Sequence, residues 1–301
     1  MNDLVKKIQE LKKRRNAVIL AHNYTLPEIQ DCADITGDSL GLSIEAKKVS
    51  APVILFCGVR FMAETAKILS PGATVLMPET DAGCPMADMA DPEEIREFKR
   101  KNPDTLLIAY INTTAATKAL VDICCTSANA DKVLRSIPPE QKVMFLPDRN
   151  LGQNTAANCL RTMEYWNGFC PIHDRITVED VKRSRELHPR AKLMVHPECR
   201  PEIVAEADAA LSTGGMISYV KESGEGEFIA GTEIGILHRL MLDNPDKKFY
   251  PLTSMPTCLD MKKITLEKVA VSLENMTTQV ELDPELIEAA RRPIERMLEI
   301  R

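Results

Sequence analysis

Short apolar runs alternate with amphipathic stretches along the whole chain. The runs include Ala17–Ala21, Val53–Cys57, Thr74–Met77, Leu106–Ala109, Val143–Leu146 and Lys192–Val195. They are nearly continuous rather than alternating, as expected of strands buried on both faces. The stretches between them carry apolar residues at helical spacing. This βαβα order predicts an α/β fold, with parallel sheets covered by helices. Several helix starts are explicit. Asp91-Pro92-Glu93 and Asp283-Pro284-Glu285 each offer a cap, a proline at the first helical position and an acid in the first turn. Thr177 and Asp180 have capping-box spacing, with Asp in place of Glu. Helices are expected near the C-terminus at Leu266 to Asn275 and Pro284 to Ile300, packing back on the first part of the chain.

A second, longer period is visible. His22, Tyr110 and His196 each follow an apolar run and open a polar cluster: His22-Asn23-Tyr24, Tyr110-Ile111-Asn112 and His196-Pro197-Glu198. Seventeen positions later stand Ser39, Ser127 and Thr213, each before a predicted helix. A second strand is expected near Phe56, Phe145 and Ile229, and a third apolar run near Leu76, Trp166 and Phe249. Each series ends on a cysteine, Cys84, Cys170 or Cys258, at 62, 60 and 62 residues from its first landmark. Any α/β chain repeats its strands every few tens of residues, but three coinciding landmarks in three copies favour one α/β unit used three times. Ligands of open α/β sheets bind beyond the carboxyl ends of strands. Three copies about a pseudo-threefold axis would aim their polar clusters at one cavity.

Composition narrows the chemistry. The chain has 301 residues, net charge −6 and nine cysteines. The acidic balance argues against a nucleic-acid footprint, and no apolar run approaches the length of a membrane span. Leu4, Val5, Ile8 and Leu11 read as one face of an amphipathic surface helix rather than a signal peptide. Cysteines without a secretion signal imply a reducing, cytoplasmic setting, where thiols are buried, catalytic or metal-bound. Cys84, Cys170 and Cys258 have turn formers beside them and are placed in loops. With no C-x-x-C pair present, spacing alone gives little support for a metal. The repeat adds support by bringing one thiol per unit to the axis. Three thiolates suit a 4Fe–4S cluster with one open iron, a Lewis acid fit for dehydration chemistry.

Of the other cysteines, Cys57 is assigned to a strand, Cys32 and Cys159 to helix core, and Cys124, Cys125 and Cys199 to packing beside the cavity. Hydroxyls at helix starts, Ser39, Ser127 and Thr213, are simple caps singly and an anion site together. His22, Tyr24, Tyr110, His196 and Glu198 are acid–base candidates, and Asn112 an orienting amide. His173, three residues after Cys170, is expected near the metal group. His188 is expected to be solvent-exposed and His238 to lie in a helix, both structural. The acidic run Glu222 to Glu227 reads as a solvated turn or a lid.

The residues also carry a resemblance. The motifs are His22-Asn23-Tyr24, Gly37-Asp38-Ser39, Phe61-Met62-Ala63-Glu64, Tyr110-Ile111-Asn112, Cys125-Thr126-Ser127 and Pro147-Asp148-Arg149-Asn150-Leu151-Gly152. They continue with Cys170-Pro171-Ile172-His173, His196-Pro197-Glu198-Cys199, Thr232-Glu233-Ile234-Gly235 and Met255-Pro256-Thr257-Cys258. In this order, along nearly the whole chain, they resemble the quinolinate synthase A family of NAD biosynthesis. The resemblance implies three similar αβα three-layer domains around a pseudo-threefold axis: residues 1–84 with 265–301, residues 85–171, and residues 172–264. It implies a 4Fe–4S cluster on Cys84, Cys170 and Cys258. The implied activity is a transferase that condenses iminoaspartate with dihydroxyacetone phosphate to quinolinate, losing phosphate and two waters. The open iron would bind a hydroxyl or carboxylate of an intermediate. Tyr24 and Glu198, with His22 and Tyr110, would serve catalysis. His22, Ser39, Tyr110, Asn112, Ser127, His173, His196, Glu198 and Thr213 would hold substrate. An L-aspartate oxidase or aspartate dehydrogenase would supply iminoaspartate. A redox-sensitive C-x-x-C found near the C-terminus of some members has no counterpart here, so a thiol switch of that kind is not expected. The residues alone leave open another open-iron hydro-lyase, an iron–sulfur sensor and a metal-free sugar-phosphate-binding protein.

Overall fold

The computed structural model describes residues 3–254 and 256–300. Met255, the first residue of the last motif above, lies outside the described residues. Twelve strands among the described residues form three parallel sheets. The first contains β1 (Ala17–His22), β2 (Ile35–Gly37), β3 (Val53–Cys57) and β4 (Thr74–Leu76). The second contains β5 (Leu106–Tyr110), β6 (Ile123–Cys125), β7 (Val143–Leu146) and β8 (Glu164–Tyr165). The third contains β9 (Lys192–Val195), β10 (Ala209–Ala210), β11 (Glu227–Gly231) and β12 (Lys248–Pro251).

The sheets share one strand order, β2-β1-β3-β4, β6-β5-β7-β8 and β10-β9-β11-β12. The architecture is therefore α/β with three similar helix-covered sheets, in keeping with a threefold pseudo-symmetry. In each sheet the chain goes first to one side of the opening strand and then to the other. The switch point thus falls beside the carboxyl end of β1, β5 or β9, where such sheets form their ligand crevice.

The central strands are apolar throughout because helices cover both faces. All five residues of β3 are buried. β1 sends Leu20 to one core, and Ala17, Ile19 and Ala21 to another. The first core is continuous across two sheets, joining Ile54 and Phe56 to Leu107 and Phe145. The second packs the outer face of the first sheet against helices Asp3–Arg15 and Leu266–Asn275, through Ile8, Leu11, Val269 and Leu273. The third sheet has its own core on each face, with Leu193 and Val195 in one and Met194 and Phe228 in the other.

The amphipathic N-terminal helix, the capping box at Thr177 and Asp180, and the cap at Asp91 are as expected. The last helix, Pro284–Glu299, touches more than the first sheet's helices. Arg291 donates to the Ile68 carbonyl, and Arg296 to that of Asp122 at the start of β6. Asn129 donates to the carbonyls of Met297 and Ile300.

Three expectations need correction. β2, β6 and β10, of two or three residues each, were absent from the strands expected, so the strand near Phe56, Phe145 and Ile229 is the third of its unit. The runs expected near Leu76, Trp166 and Phe249 are β4, β8 and β12. Ser127 sits in a turn and does not start a helix; the helix begins at Ala130 with Asn129 as its cap. His188 is half-buried rather than exposed, because its ring stacks on Tyr250 with centroids 3.6 Å apart. No described helix is long and apolar enough to cross a membrane.

Candidate functional site

The switch points of the three sheets open on one cavity of about 270 Å³. His22 and Tyr110 are the last residues of β1 and β5, and His196 directly follows β9. All three are buried and line the cavity. In the first and third units the local turn is the same. The Tyr24 backbone N–H donates to His22 Nδ1 at 3.1 Å, and the Glu198 N–H to His196 Nδ1 at 3.3 Å. An Nδ1 that accepts leaves the ring proton on Nε2. Burial, chiefly, lowers the His22 pKa to about 3 and that of His196 to about 4. Both rings are therefore neutral N–H donors at neutral pH.

Tyr24, Tyr110, Glu198 and His173 form one hydrogen-bonded chain with Thr232. Tyr110 donates to Glu198 Oε1 at 2.5 Å, and His173 Nδ1 lies 2.7 Å from Glu198 Oε2. His173 Nε2 is 2.8 Å from Thr232 Oγ1, which is 2.5 Å from the Tyr24 hydroxyl. One set of donors satisfies every link. Tyr24 donates to Thr232, Thr232 to His173 Nε2, and His173 Nδ1–H to Glu198. Burial alone would raise the Glu198 pKa, but His196, His173 and the Tyr110 hydroxyl converge on it and hold it below the usual carboxylate range. Burial and then the Glu198 charge push the phenols of Tyr24 and Tyr110 well above their ordinary value, so both stay protonated.

The loop that carries Glu198 is held from the second unit. Asn150 donates to the Glu198 carbonyl at 3.1 Å, and Asn154 to the carbonyls of Pro197 and Cys199, each at 2.9 Å. The Pro147–Gly152 motif thus positions Glu198 without being among the residues that line the cavity. The residue after Asn112 is held in a similar way. The buried Lys118 ammonium donates to the neighbouring Thr113 carbonyl and lies 5.4 Å from the Phe61 ring centroid. Asn112 Oδ1 is buried with no hydrogen-bond partner among the described residues.

Ser39, Ser127 and Thr213 also line the cavity. Their roles differ from simple caps. Asp38 and Ser212 cap the two helices, accepting from Gly41 and Gly215, so Ser39 and Thr213 occupy the first helical positions. Thr213 Oγ1 accepts from Asn23 at 3.0 Å, joining the third unit to the first. Asp38 accepts from Ser212 at 3.0 Å across the same seam. Gly214 leaves room for this contact, since a Cβ would stand 2.6 Å from Asp38 Oδ2 and displace the carboxylate.

The three cysteines face the same cavity in equivalent local structures. Each opens one helical turn, its carbonyl accepting from the residue four ahead: Asp88 for Cys84, Asp174 for Cys170 and Lys262 for Cys258. Backbone N–H groups near each sulfur favour its thiolate: Ala87 and Met86 for Cys84, His173 for Cys170, and Met261 and Asp260 for Cys258. Burial pushes all three thiols up. Ionising one further opposes its neighbours, Cys258 acting on Cys84 and Cys84 on Cys170. Such sulfurs become thiolates only with a cation to neutralise them, while the N–H groups suit a thiolate better than a thiol. The donor set therefore fits a metal group. A second grouping overlaps it: one ligand atom each from Cys170, His173 and Glu198 lies within 4.8 Å of the others.

The remaining cysteines are packing residues. Cys57, Cys124 and Cys125 are in buried strands, Cys32 and Cys159 in helices, and Cys199 is fully buried. His238 lies in helix Ile236–Asp243, with Nε2 2.7 Å from Asp31. Thr232, Glu233 and Asp148 lie within motifs of the sequence but had no assigned role, and Lys262 lies in none of those motifs. Their signal was positional: Asp148 and Glu233 follow β7 and β11 at equivalent places, 38 and 37 residues after Tyr110 and His196.

Comparison with known proteins agrees with this geometry. A family model described as quinolinate synthetase A protein matches residues 6–299. A quinolinate synthase of Dehalococcoides mccartyi is 51% identical over 294 residues, covering 98% of this chain and 97% of the relative. That of Geobacter metallireducens is 49% identical over 293 residues, covering 97% and 96%. That of Methanosarcina barkeri is 49% identical over 299 residues, covering 99% and 98%. With the match running almost end to end, this chain belongs to the quinolinate synthetase A family.

Proposed function

We propose that this chain is a quinolinate synthase: a transferase that condenses iminoaspartate with dihydroxyacetone phosphate, closes the pyridine ring and releases phosphate and two waters in NAD biosynthesis. The observation that carries the reading is the trio of cysteines, each opening one helical turn, around a single cavity. Cys84, Cys170 and Cys258 would hold a 4Fe–4S cluster. Bound there, the cluster's fourth, open iron supplies Lewis acidity for loss of hydroxyl groups.

The protein side chains supply the rest. His22 and His196, neutral and with Nε2–H free to donate, would hold substrate oxyanions. Ser39, Ser127 and Thr213 would add hydroxyl donors at helix starts and turns, suited to carboxylate or phosphate. Asn112 would accept a hydrogen bond from a substrate N–H or O–H through its unpartnered Oδ1. Glu198, held ionised, would act as general base. Tyr24 and Tyr110 would act as proton donors, their phenol protons linked to Glu198 directly or through Thr232 and His173. The three units, residues 1–84 with 265–301, 85–171 and 172–264, would each contribute one cysteine. The work would be done in the cytoplasm, with iminoaspartate from an L-aspartate oxidase or aspartate dehydrogenase.

The cluster Cys170, His173 and Glu198 favours a second reading, a single metal ion on three ligands. Iron and sulfide content of anaerobically reconstituted protein separates the two. The cluster reading expects about four irons per chain, lost in Cys84→Ser, Cys170→Ser and Cys258→Ser but kept in variants of the other six cysteines. One metal that survives Cys84→Ser and Cys258→Ser would establish the second reading instead.

A further inference from the structure

One buried ion pair beside the site has no part in the scheme above. Glu233 is fully buried two residues after β11. Its Oε1 accepts from the Cys258 backbone N–H at 3.1 Å and lies 2.9 Å from Lys262 Nζ. Its Oε2 accepts from the Gly235 N–H at 2.6 Å. Lys262 stands on the helical turn that Cys258 opens, and its ammonium also donates to the Tyr24 carbonyl at 2.5 Å. Three segments distant in sequence therefore meet on one pair of charges: the loop after β1, the loop after β11 and the Cys258 turn.

The junction is closely fitted. A Cβ on Gly235 would lie 2.8 Å from both Glu233 Oε2 and Lys262 Nζ, and 2.9 Å from the Tyr24 carbonyl carbon. The Gln30 amide nitrogen lies 3.0 Å from each of the Asn23, Thr25 and Gly235 carbonyl oxygens and shares its two N–H groups among them, tying the same two loops together. A buried carboxylate needs a counter-charge and hydrogen bonds to offset its desolvation. Here it has one lysine and two backbone N–H groups. Charge-assisted bonds of this kind fix geometry more firmly than neutral ones.

We propose that the Glu233–Lys262 pair is a clamp that positions Cys258 for the metal group and at the same time sets the backbone of Tyr24. The inference rests on the reading of Cys258 as a ligand. Glu233 and Lys262 are positioning residues: Glu233 acts through the Cys258 N–H, and Lys262 through the Tyr24 carbonyl. Partners in the outer shell of a metal site typically change affinity by about 10–100-fold.

The test uses full-length protein, anaerobically reconstituted, as wild type, Glu233→Gln, Lys262→Met and the double variant. The double variant leaves no unpaired buried charge, so it separates loss of the clamp from failure to fold. Two rates are measured: iron release to a chelator, and alkylation of Cys258 relative to Cys84 in metal-free protein. The clamp predicts iron release roughly 10–100-fold faster, with Cys258 alkylation rising while that of Cys84 is unchanged. It also predicts a fall in kcat with little change in KM. A folded double variant with wild-type iron release and an unchanged Cys258-to-Cys84 ratio would overturn the proposal. If the wild type holds no iron, the functional reading fails. The alkylation ratio in metal-free protein still decides the clamp, an unchanged ratio refuting it.

Discussion

Glu198→Gln removes one charge and changes almost no volume. In the native site Glu198 accepts from Tyr110 at 2.5 Å and from His173 at 2.7 Å. The amide keeps one acceptor. Its NH₂ can meet the Tyr110 hydroxyl, which turns to accept. Two charge-assisted bonds, worth about 1.5–3 kcal/mol each, become neutral ones of about 0.5–1.5. The net loss is roughly 2–3 kcal/mol, reduced by no longer burying a carboxylate. At about 2–4 °C per kcal/mol, the melting temperature falls by less than about 12 °C, and the protein remains folded at 25 °C. Turnover is affected far more. Loss of a general base costs about 10²–10⁴-fold, or about 2.7–5.5 kcal/mol of barrier. The assay is anaerobic quinolinate formation per iron-loaded chain, with iron counted on the same samples. Full iron with turnover within tenfold of wild type would refute the role given to Glu198. Loss of iron would show that the carboxylate serves the metal site instead.

Three other outcomes follow from the geometry. Thr232→Val removes the hydroxyl between Tyr24 and His173; turnover should fall roughly tenfold, the equivalent of about one hydrogen bond, and Thr232→Ser should recover most of it, equal rates in all three proteins being the contrary result. His22 and His196 have folded pKa values of about 3 and about 4 against 6.5 unfolded. As pH falls below 6.5 the unfolded chain binds two protons that the folded chain refuses, so stability is full above that pH and declines below it. The slope should approach about 2.7 kcal/mol per pH unit near pH 5 from these two groups, and His196→Asn should remove about half of it in urea titrations. Gly152→Ala would place a Cβ 2.8 Å from Tyr165 Cδ1 and 3.0 Å from Phe145 Cδ1. Crowding of about 1–3 kcal/mol should outweigh the helix-propensity gain of about 1 kcal/mol, and an unchanged or raised melting temperature would contradict this.

Much of the molecule is local enough to be legible in the chain. Continuous apolar runs mark the central strands because helices bury both faces, and the capping box at Thr177 needs only its neighbours. The landmarks His22, Tyr110 and His196, the hydroxyls seventeen residues on and the cysteines repeat because each unit folds alike. β2, β6 and β10 escaped because two or three residues make no pattern. The caps fell on Asp38 and Ser212 rather than Ser39 and Thr213 because extended backbone at the earlier residue, with ψ of 178° and 167°, decides where a helix begins. The stack of His188 on Tyr250 and the meeting of Glu233, Lys262 and Tyr24 join residues far apart in sequence, and no local spacing encodes them. The chain by itself determined which residues stand at strand ends and helix starts. Only the packing of three sheets with their switch points facing inward brought the thirteen candidate site residues to one cavity. There, burial and mutual contact decided which groups stay neutral, which stay charged and which hold one another in place.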